Sequence, residues 1–251
     1  LVSEFFTPER EKRQLVKIGD IPLHLIQAVV AIEDRRFYAH RGVDWLGVLR
    51  ALYRNVRAGG VTEGGSTLTQ QLVKNFFLTP KRTIWRKSAE MIMAVMVEAR
   101  YSKAAILELY LNEIYLGQRG SISINGVGEA ARLYFRKDVR ELAIAEAALM
   151  AGLIRAPHLY SPYKHPERAL ERRNRVLTAM LEAGYLSPEA YQGAMRMPLR
   201  VETVRLEVNR APYFVDLLRE QLLQRYSVEE LTTNNLTIFT SLDLRLQDAA
   251  Q

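Results

Sequence analysis

Leu142-Ala143-Ile144-Ala145-Glu146-Ala147-Ala148-Leu149-Met150 is close-packing helix material. Alanine and leucine form helices readily, and small side chains let neighbouring helices approach closely. The run continues to Ile154 and predicts a buried helix over about 141–154. Outward from it the helical period recurs. On the C-terminal side it predicts helices at 167–183, 188–195 and 211–226, and on the N-terminal side at 125–134, 103–117 and 82–100. Met91–Val97, inside the last of these, is the other apolar run that reads as buried helix. Earlier still, helices are predicted at Ser66–Asn75 and Trp45–Arg57. Ile21-Pro22 opens the first helix, with proline at an early position where its missing N–H does no harm. That helix carries an apolar stripe through Leu25, Val29 and Ile32 towards Tyr38. The fold class is mainly α.

Two places break the pattern. Residues 57–65, Arg-Ala-Gly-Gly-Val-Thr-Glu-Gly-Gly, hold four glycines in seven positions and predict a loop that is disordered without ligand. Near the end, Leu236-Thr237-Ile238-Phe239-Thr240 predicts a short strand, and Asp243 can cap a helix to Ala250. That strand and helix find no partners in what remains of the chain. The expected organisation is therefore one domain over 1–198 and, over 199–251, a linker with the truncated start of a following module.

The chain has 251 residues and a mass of 28.8 kDa; 48% of it is apolar, enough for a packed core. It has no cysteine, which excludes disulfides, thiolate metal sites and thiol nucleophiles. No apolar run reaches the roughly 20 residues of a membrane span. The opening Leu1-Val2-Ser3, without initiator Met or signal peptide, predicts a piece of something longer. The net charge is +7, and it is concentrated. Positions 74–103 hold seven basic residues (Lys74, Lys81, Arg82, Arg86, Lys87, Arg100 and Lys103) against Glu90 and Glu98. Such a window suits an anionic partner: nucleic acid, a phosphate-bearing substrate or an acidic membrane surface.

Four constellations carry chemistry-bearing residues. In Glu33-Asp34-Arg35-Arg36-Phe37-Tyr38-Ala39-His40-Arg41-Gly42, residues Glu33, Phe37 and His40 fall at i, i+4 and i+7, one face of a helix if the helix continues. A carboxylate beside an aromatic ring in a half-buried setting can act as a general acid or base, or Glu33 can simply pair with Arg35 or Arg36. Gly64-Gly65-Ser66-Thr67-Leu68-Thr69-Gln70-Gln71-Leu72-Val73-Lys74-Asn75 places a glycine pair before a helix N-terminus, which favours an anion, or Ser66 is an N-cap and nothing more. It is not a Walker loop. Arg86-Lys87-Ser88-Ala89-Glu90 is either a set of ordinary surface ion pairs or a cationic cluster for phosphate with a carboxylate at its edge. Lys103 to Glu113 has the spacing of an amphipathic, structural helix.

Taken in order, these motifs closely resemble the peptidoglycan glycosyltransferase family. That family comprises the glycosyltransferase module of class A penicillin-binding proteins and the monofunctional transglycosylases. The motifs are Glu33-Asp34-x-x-Phe37-x-x-His40-x-Gly42, Gly64-Gly65-Ser66-Thr67-Leu68-Thr69-Gln70-Gln71, Arg86-Lys87-x-x-Glu90, Lys103-x-x-Ile106-x-Glu108-x-Tyr110-Leu111-Asn112 and Arg172-Arg173-Asn174-Arg175-Val176-Leu177. The resemblance spans about residues 8–195. The tail from Ile238 to Ala250 resembles the join to a penicillin-binding transpeptidase, so a bifunctional parent with its transpeptidase missing here is expected.

The resemblance implies a lysozyme-like large helical lobe with a small membrane-facing jaw lobe. It implies polymerisation of lipid II into glycan strands at the extracytoplasmic, periplasmic face of the bacterial cytoplasmic membrane. It makes Glu33 the catalytic base, with Glu90 catalytic beside the pyrophosphate. Asp34, Phe37 and His40 would position Glu33. Ser66, Thr67, Gln70, Gln71 and Asn75 would bind substrate, Lys74, Arg86 and Lys87 would neutralise the leaving pyrophosphate, and Arg173 and Asn174 would hold the far side of the cleft. No cofactor is obligatory; a divalent cation, Mg or Mn, at Glu90 is one option and a water the other. The phosphoglycolipid moenomycin is the inhibitor expected to occupy the site. From the residues themselves, Phe76-Phe77-Leu78 and Trp85, interleaved with Lys74, Lys81, Arg82 and Arg86, suit a lipid headgroup region. The rival readings are a lytic glycosidase using Glu33 and Glu90 on finished peptidoglycan, and a non-catalytic basic module. A nucleic-acid partner is not expected, because no helix-turn-helix, RNP or zinc pattern occurs. His24, His40, His158 and His165 lack metal-ligand spacing, and there is no Gly-x-Ser-x-Gly elbow or Ser-x-x-Lys motif.

Overall fold

A computed structural model describes residues 15–58, 60, 65–77, 84–119, 122–202, 211–226, 240–243 and 246. The chain divides into two compact units, of which Arg13–Glu202 is the larger. That unit holds α1 (Leu23–Glu33), α2 (Trp45–Ala58), α3 (Leu68–Phe77), α4 (Ile84–Arg100) and α5 (Lys103–Glu113). It continues with strands β1 (Tyr115–Arg119) and β2 (Ile122–Asn125), then α6 (Val127–Phe135), α7 (Ile144–Leu153), α8 (Pro166–Glu182) and α9 (Pro188–Arg196). In the other unit α10 (Pro212–Leu223) is described. The mainly α class expected from the sequence is what the protein has.

The core is built around α7. Ala145 and every residue from Ala147 to Leu153 are buried, and α1 and α8 pack against this helix. Its small side chains permit the approach: a Cβ on Gly152 would stand 3.1 Å from Arg172 Cγ of α8. Ala143 precedes the helix, and the Glu146 side chain accepts from the Ala143 N–H at 2.8 Å, satisfying an orphan donor of the first turn. On the other flank α3 packs on α4 and α5. Asn112 of α5 brackets Val16, accepting from its N–H and donating to its carbonyl, both at 2.8 Å, and Glu108 accepts from the Ile18 N–H at 2.7 Å. Glu108 and Asn112 thus tie down the entering chain, the structural role their spacing predicts.

Four local expectations are corrected. The first helix stops at Glu33 rather than running towards Tyr38. Asp34 leaves helical geometry (φ −153°, ψ 72°) and a 3-10 turn forms at Phe37–Ala39. The Asp34 carboxylate finds better partners outside the helix, namely the Leu68 N–H and the His40 ring. Glu33, Phe37 and His40 therefore share no helix face. The helix predicted to 117 ends at Glu113, and the chain turns into an antiparallel hairpin, β1 on β2, irregular between Tyr115 and Gly117. Gly126 closes it at φ +76°, where a Cβ would lie 2.6 Å from the Asn112 carbonyl oxygen. Third, Thr67 rather than Ser66 caps α3. Its hydroxyl accepts from the Gln70 N–H at 3.2 Å while Gln70 Oε1 accepts from the Thr67 N–H at 3.0 Å, a reciprocal capping box. Finally, Met91–Val97 is not a buried helix. It is helical, but Ile92, Val95 and Met96 are exposed, and within the run only Ala94 is buried. Most of the glycine loop, Leu78, Lys81, Arg82, the expected strand as far as Phe239 and nearly all of the helix after Asp243 lie outside the described residues.

Candidate active site

Glu33 is the last residue of α1, and its side chain turns inward: 11% of it is exposed. Gln71, one turn into α3, donates from Nε2 to Glu33 Oε2 at 3.0 Å. From α8, Arg172 brings a guanidinium nitrogen to 3.7 Å from Oε1. Burial dominates and pushes the Glu33 carboxyl above its ordinary range, while the Gln71 hydrogen bond and the charges of Arg172 and Arg155 pull it down. The balance is a carboxylate poorly solvated by water yet held by directed donors, the state suited to taking a proton.

Asp34 faces the other way and serves the scaffold. One of its oxygens accepts from the Leu68 N–H at 3.0 Å, at the first turn of α3, and His40 Nε2 sits 3.0 and 3.1 Å from the two oxygens. A buried polar network continues from His40. Its Nδ1 faces Glu98 Oε1 at 3.9 Å, Thr69 donates to that oxygen at 2.6 Å, and Lys103 binds Glu98 Oε2 at 2.6 Å and the His40 carbonyl at 2.8 Å. The Lys103 ammonium also lies 4.3 Å from the centre of the buried Phe37 ring. Gly42 follows at φ +94°, with room for no side chain: a Cβ would stand 2.7 Å from the Ala94 backbone of α4. Thr67 then donates to the Gly42 carbonyl at 2.6 Å. The turn after α1, the start of α3 and the body of α4 are thereby locked together.

The cationic side is on α4. Glu90 is only 3% exposed and receives Arg86 Nη1 at 3.3 Å on one oxygen and Lys87 Nζ on the other. Lys87 also donates to Ser66 Oγ at 2.8 Å. Ser66 and Gln71 belong to one short stretch, so Glu33 and Lys87 both engage the start of the same helix. Gln70 and Thr67 are buried, with Gln70 Oε1 and the Thr67 hydroxyl oxygen engaged in the cap. Lys74 and Asn75 lie further along α3 and are exposed.

Motif five divides in a way that spacing could not foresee. Arg172 reaches Glu33, donates to the Gly152 carbonyl at 3.3 Å and lies over the Tyr160 ring. Arg173, buried one residue later, donates to the carbonyls of Met197 at 2.6 Å and Met195 at 3.3 Å and grips Asn174 Oδ1. Asn174 itself borders a shallow cavity of about 410 Å³ along α8 with Glu171, Arg175 and Thr178. Both arginines fall three or four residues from Ala169 and Val176 on the buried stripe of α8, so helical phase cannot choose between them. Tyr110, present in the fourth motif but with no role implied by its spacing, donates its hydroxyl to Gln71 Oε1 at 2.9 Å.

Residues 1–181 match the family described as Transglycosylase. The chain belongs to that family, the peptidoglycan glycosyltransferases. It is 46% identical over 241 residues to penicillin-binding protein 1A of Aquifex aeolicus, covering 96% of this chain and 32% of that protein. With penicillin-binding protein 1B of Escherichia coli (strain K12) it shares 39% identity over 251 residues, 100% of this chain and 30% of the relative. The crystal structure of penicillin-binding protein 1A from Haemophilus influenzae superposes with a TM-score of 0.51 at 28% identity, over 87% of this chain and 22% of that one. The chain thus spans about a third of the length of the curated relatives it matches.

Two further points bear on chemistry. Glu90 offers one carboxylate whose oxygens are already engaged by cations, and among the described residues no three His, Asp or Glu side chains gather. Among the described residues no helix is long and apolar enough to cross a membrane. Yet Phe76, Phe77 and Trp85 are 48%, 63% and 86% exposed, so these aromatics are not core.

Proposed function

We propose that this chain polymerises lipid II, with Glu33 as the general base. The acceptor sugar's 4-hydroxyl loses its proton to Glu33 as its oxygen attacks the anomeric carbon of the growing strand. The bond from that carbon to the pyrophosphate oxygen breaks in the same displacement, so configuration inverts and undecaprenyl pyrophosphate departs. Lys87, Arg86 and Lys74 neutralise the charge that develops on the departing group. Glu90, buried between two of these cations, holds them in place in the absence of phosphate. Ser66 and Gln71 line the donor end, and Asp34, His40 and Phe37 fix the turn on which Glu33 stands. Arg172 stands beside Glu33 and offsets the charge of its carboxylate.

One observation carries this reading: a desolvated carboxylate and a cationic cluster both engage the start of α3, through Gln71 in its first turn and Ser66 just before its cap. A hydrolase acting on finished glycan has no pyrophosphate to neutralise and no use for the second half of that arrangement. The exposed apolar side chains of α2, α3 and α4, among them Trp45, Leu49, Phe76, Phe77, Trp85 and Met96, support membrane contact at the extracytoplasmic leaflet from which the lipid substrate comes. The parent chain adds a transpeptidase module after this domain.

The decisive experiment gives lipid II to the protein and to Glu33→Gln. Loss of about 10²–10⁴-fold in polymerisation rate is expected, with the variant still folded. Polymerisation at the unmodified rate overturns the assignment, and soluble fragments released from finished peptidoglycan without polymer from lipid II support the lytic alternative.

A further inference from the structure

Tyr110 stands one side chain behind the Glu33 carboxylate. Its hydroxyl donates to Gln71 Oε1 at 2.9 Å, and the nitrogen of the same amide donates to Glu33 Oε2 at 3.0 Å. The tyrosine is 1% exposed and belongs to the hydrophobic core, out of reach of any substrate. Burial, with the charges of Glu33 and Asp34, pushes its phenol well above the ordinary range, so the hydroxyl remains a donor.

The hydrogen-bonding inventory of these three groups gives the arrangement a direction. A primary amide donates at one end and accepts at the other, an ionised carboxylate only accepts, and a phenol has a single proton to give. In the observed order both facing pairs match: Tyr110 O–H meets the amide oxygen, and one amide N–H meets the carboxylate. Turning the amide by 180° sets its oxygen against Glu33, which only the protonated acid can satisfy. The Tyr110 proton would then face an amide nitrogen that cannot accept it. An orphaned buried donor is expensive, so the tyrosine opposes the turned amide. Other charged groups around Glu33 do not discriminate in this way. Arg172 from α8, Arg155 after α7 and Asp34 next along the chain act through charge, whichever way the amide points.

We propose that Tyr110 is a positioning residue of the reaction: by holding the Gln71 amide oxygen it keeps the amide N–H on Glu33 and so maintains the carboxylate as a proton acceptor. The proposal rests on Glu33 being the base. Its new content is that a core phenol, two hydrogen bonds away, biases the protonation of that base.

The test is the pH dependence of kcat with lipid II for the 251-residue chain, for Tyr110→Phe, and for the chain carrying 3-fluorotyrosine at position 110. Removal of the hydroxyl is expected to move the acid limb up by about 0.5–1 pH unit and to lower the rate on that limb by about three- to ten-fold. KM should stay within about two-fold, since Tyr110 touches no substrate. Fluorotyrosine, a stronger donor of the same shape, moves the limb the opposite way. A Tyr110→Phe limb that coincides with the unmodified one overturns the proposal. Should that variant lack a cooperative melt, the fluorotyrosine limb decides alone, and no downward movement is then the refuting result. Glu33→Gln run alongside separates the two claims. If it polymerises normally, the base assignment fails and takes this proposal with it. If it is inactive while Tyr110→Phe keeps the unmodified limb, only the role of Tyr110 fails.

Discussion

Met91–Val97 on α4 and Ala147–Leu153 on α7 are apolar helical runs of the same length, and they meet opposite fates. Every residue of the second is buried, with α1 and α8 packed on it, whereas Ile92, Val95 and Met96 of the first stand in solvent. The run left exposed is the more apolar of the two by sequence, so it is neighbours and not hydropathy that separate them. Helix α7 has small residues all round and accepts helices on several sides. Helix α4 turns Glu90, Ala94 and Glu98 inward to carry ion pairs and the Gly42 contact, which leaves its bulky apolar residues on the outer face. An apolar run whose inner face is polar and whose outer face is greasy is built for a surface, not for a core.

That contrast can be tested by truncation. Met150→Ala should cost about 2–5 kcal/mol in a denaturant titration, because it opens a cavity where nothing can collapse. Met96→Ala, the same chemical change on α4, should fall within about 0.5 kcal/mol. Equal losses would mean that the two helices are not different in kind. A more functional test is flotation with liposomes of anionic lipid: Phe76→Ser/Phe77→Ser should weaken binding by about ten-fold or more at unchanged stability, given roughly 1.5–3 kcal/mol for each large side chain removed from an apolar setting. Unchanged binding removes the membrane role of this face. The smallest effect is on the acid side. Because burial raises the Glu33 carboxyl, polymerisation should climb with rising pH over a range above that of an exposed glutamate, as the ionised base fills. An acid limb at the position of an exposed glutamate would mean that the donors around Glu33 outweigh its desolvation.

Much of the site was legible residue by residue. The order of motifs named Glu33, Ser66, Gln71, Arg86, Lys87 and Glu90, and the structure brings these together around the start of one helix. What was not legible was geometry at a distance. Glu33, Phe37 and His40 look like a helix face, yet Asp34 breaks the helix for partners thirty-four residues away, at Leu68. The helical period runs on to 117 in the sequence and does not show the hairpin that starts at Tyr115, because its pairing depends on glycines at 117 and 126 fitting against Tyr134 and Asn112.

The sequence by itself determined the helical class, the family and the chemical inventory of the candidate site, because helix propensity and motif order are local properties of the chain. Tertiary structure alone decided that Arg172 and not Arg173 meets Glu33, that Tyr110 stands behind the Gln71 amide, and that α4 shows its apolar side to the outside. Each of those depends on which surface packs against which, and a side chain's solvation is fixed by neighbours that the chain brings in from far away.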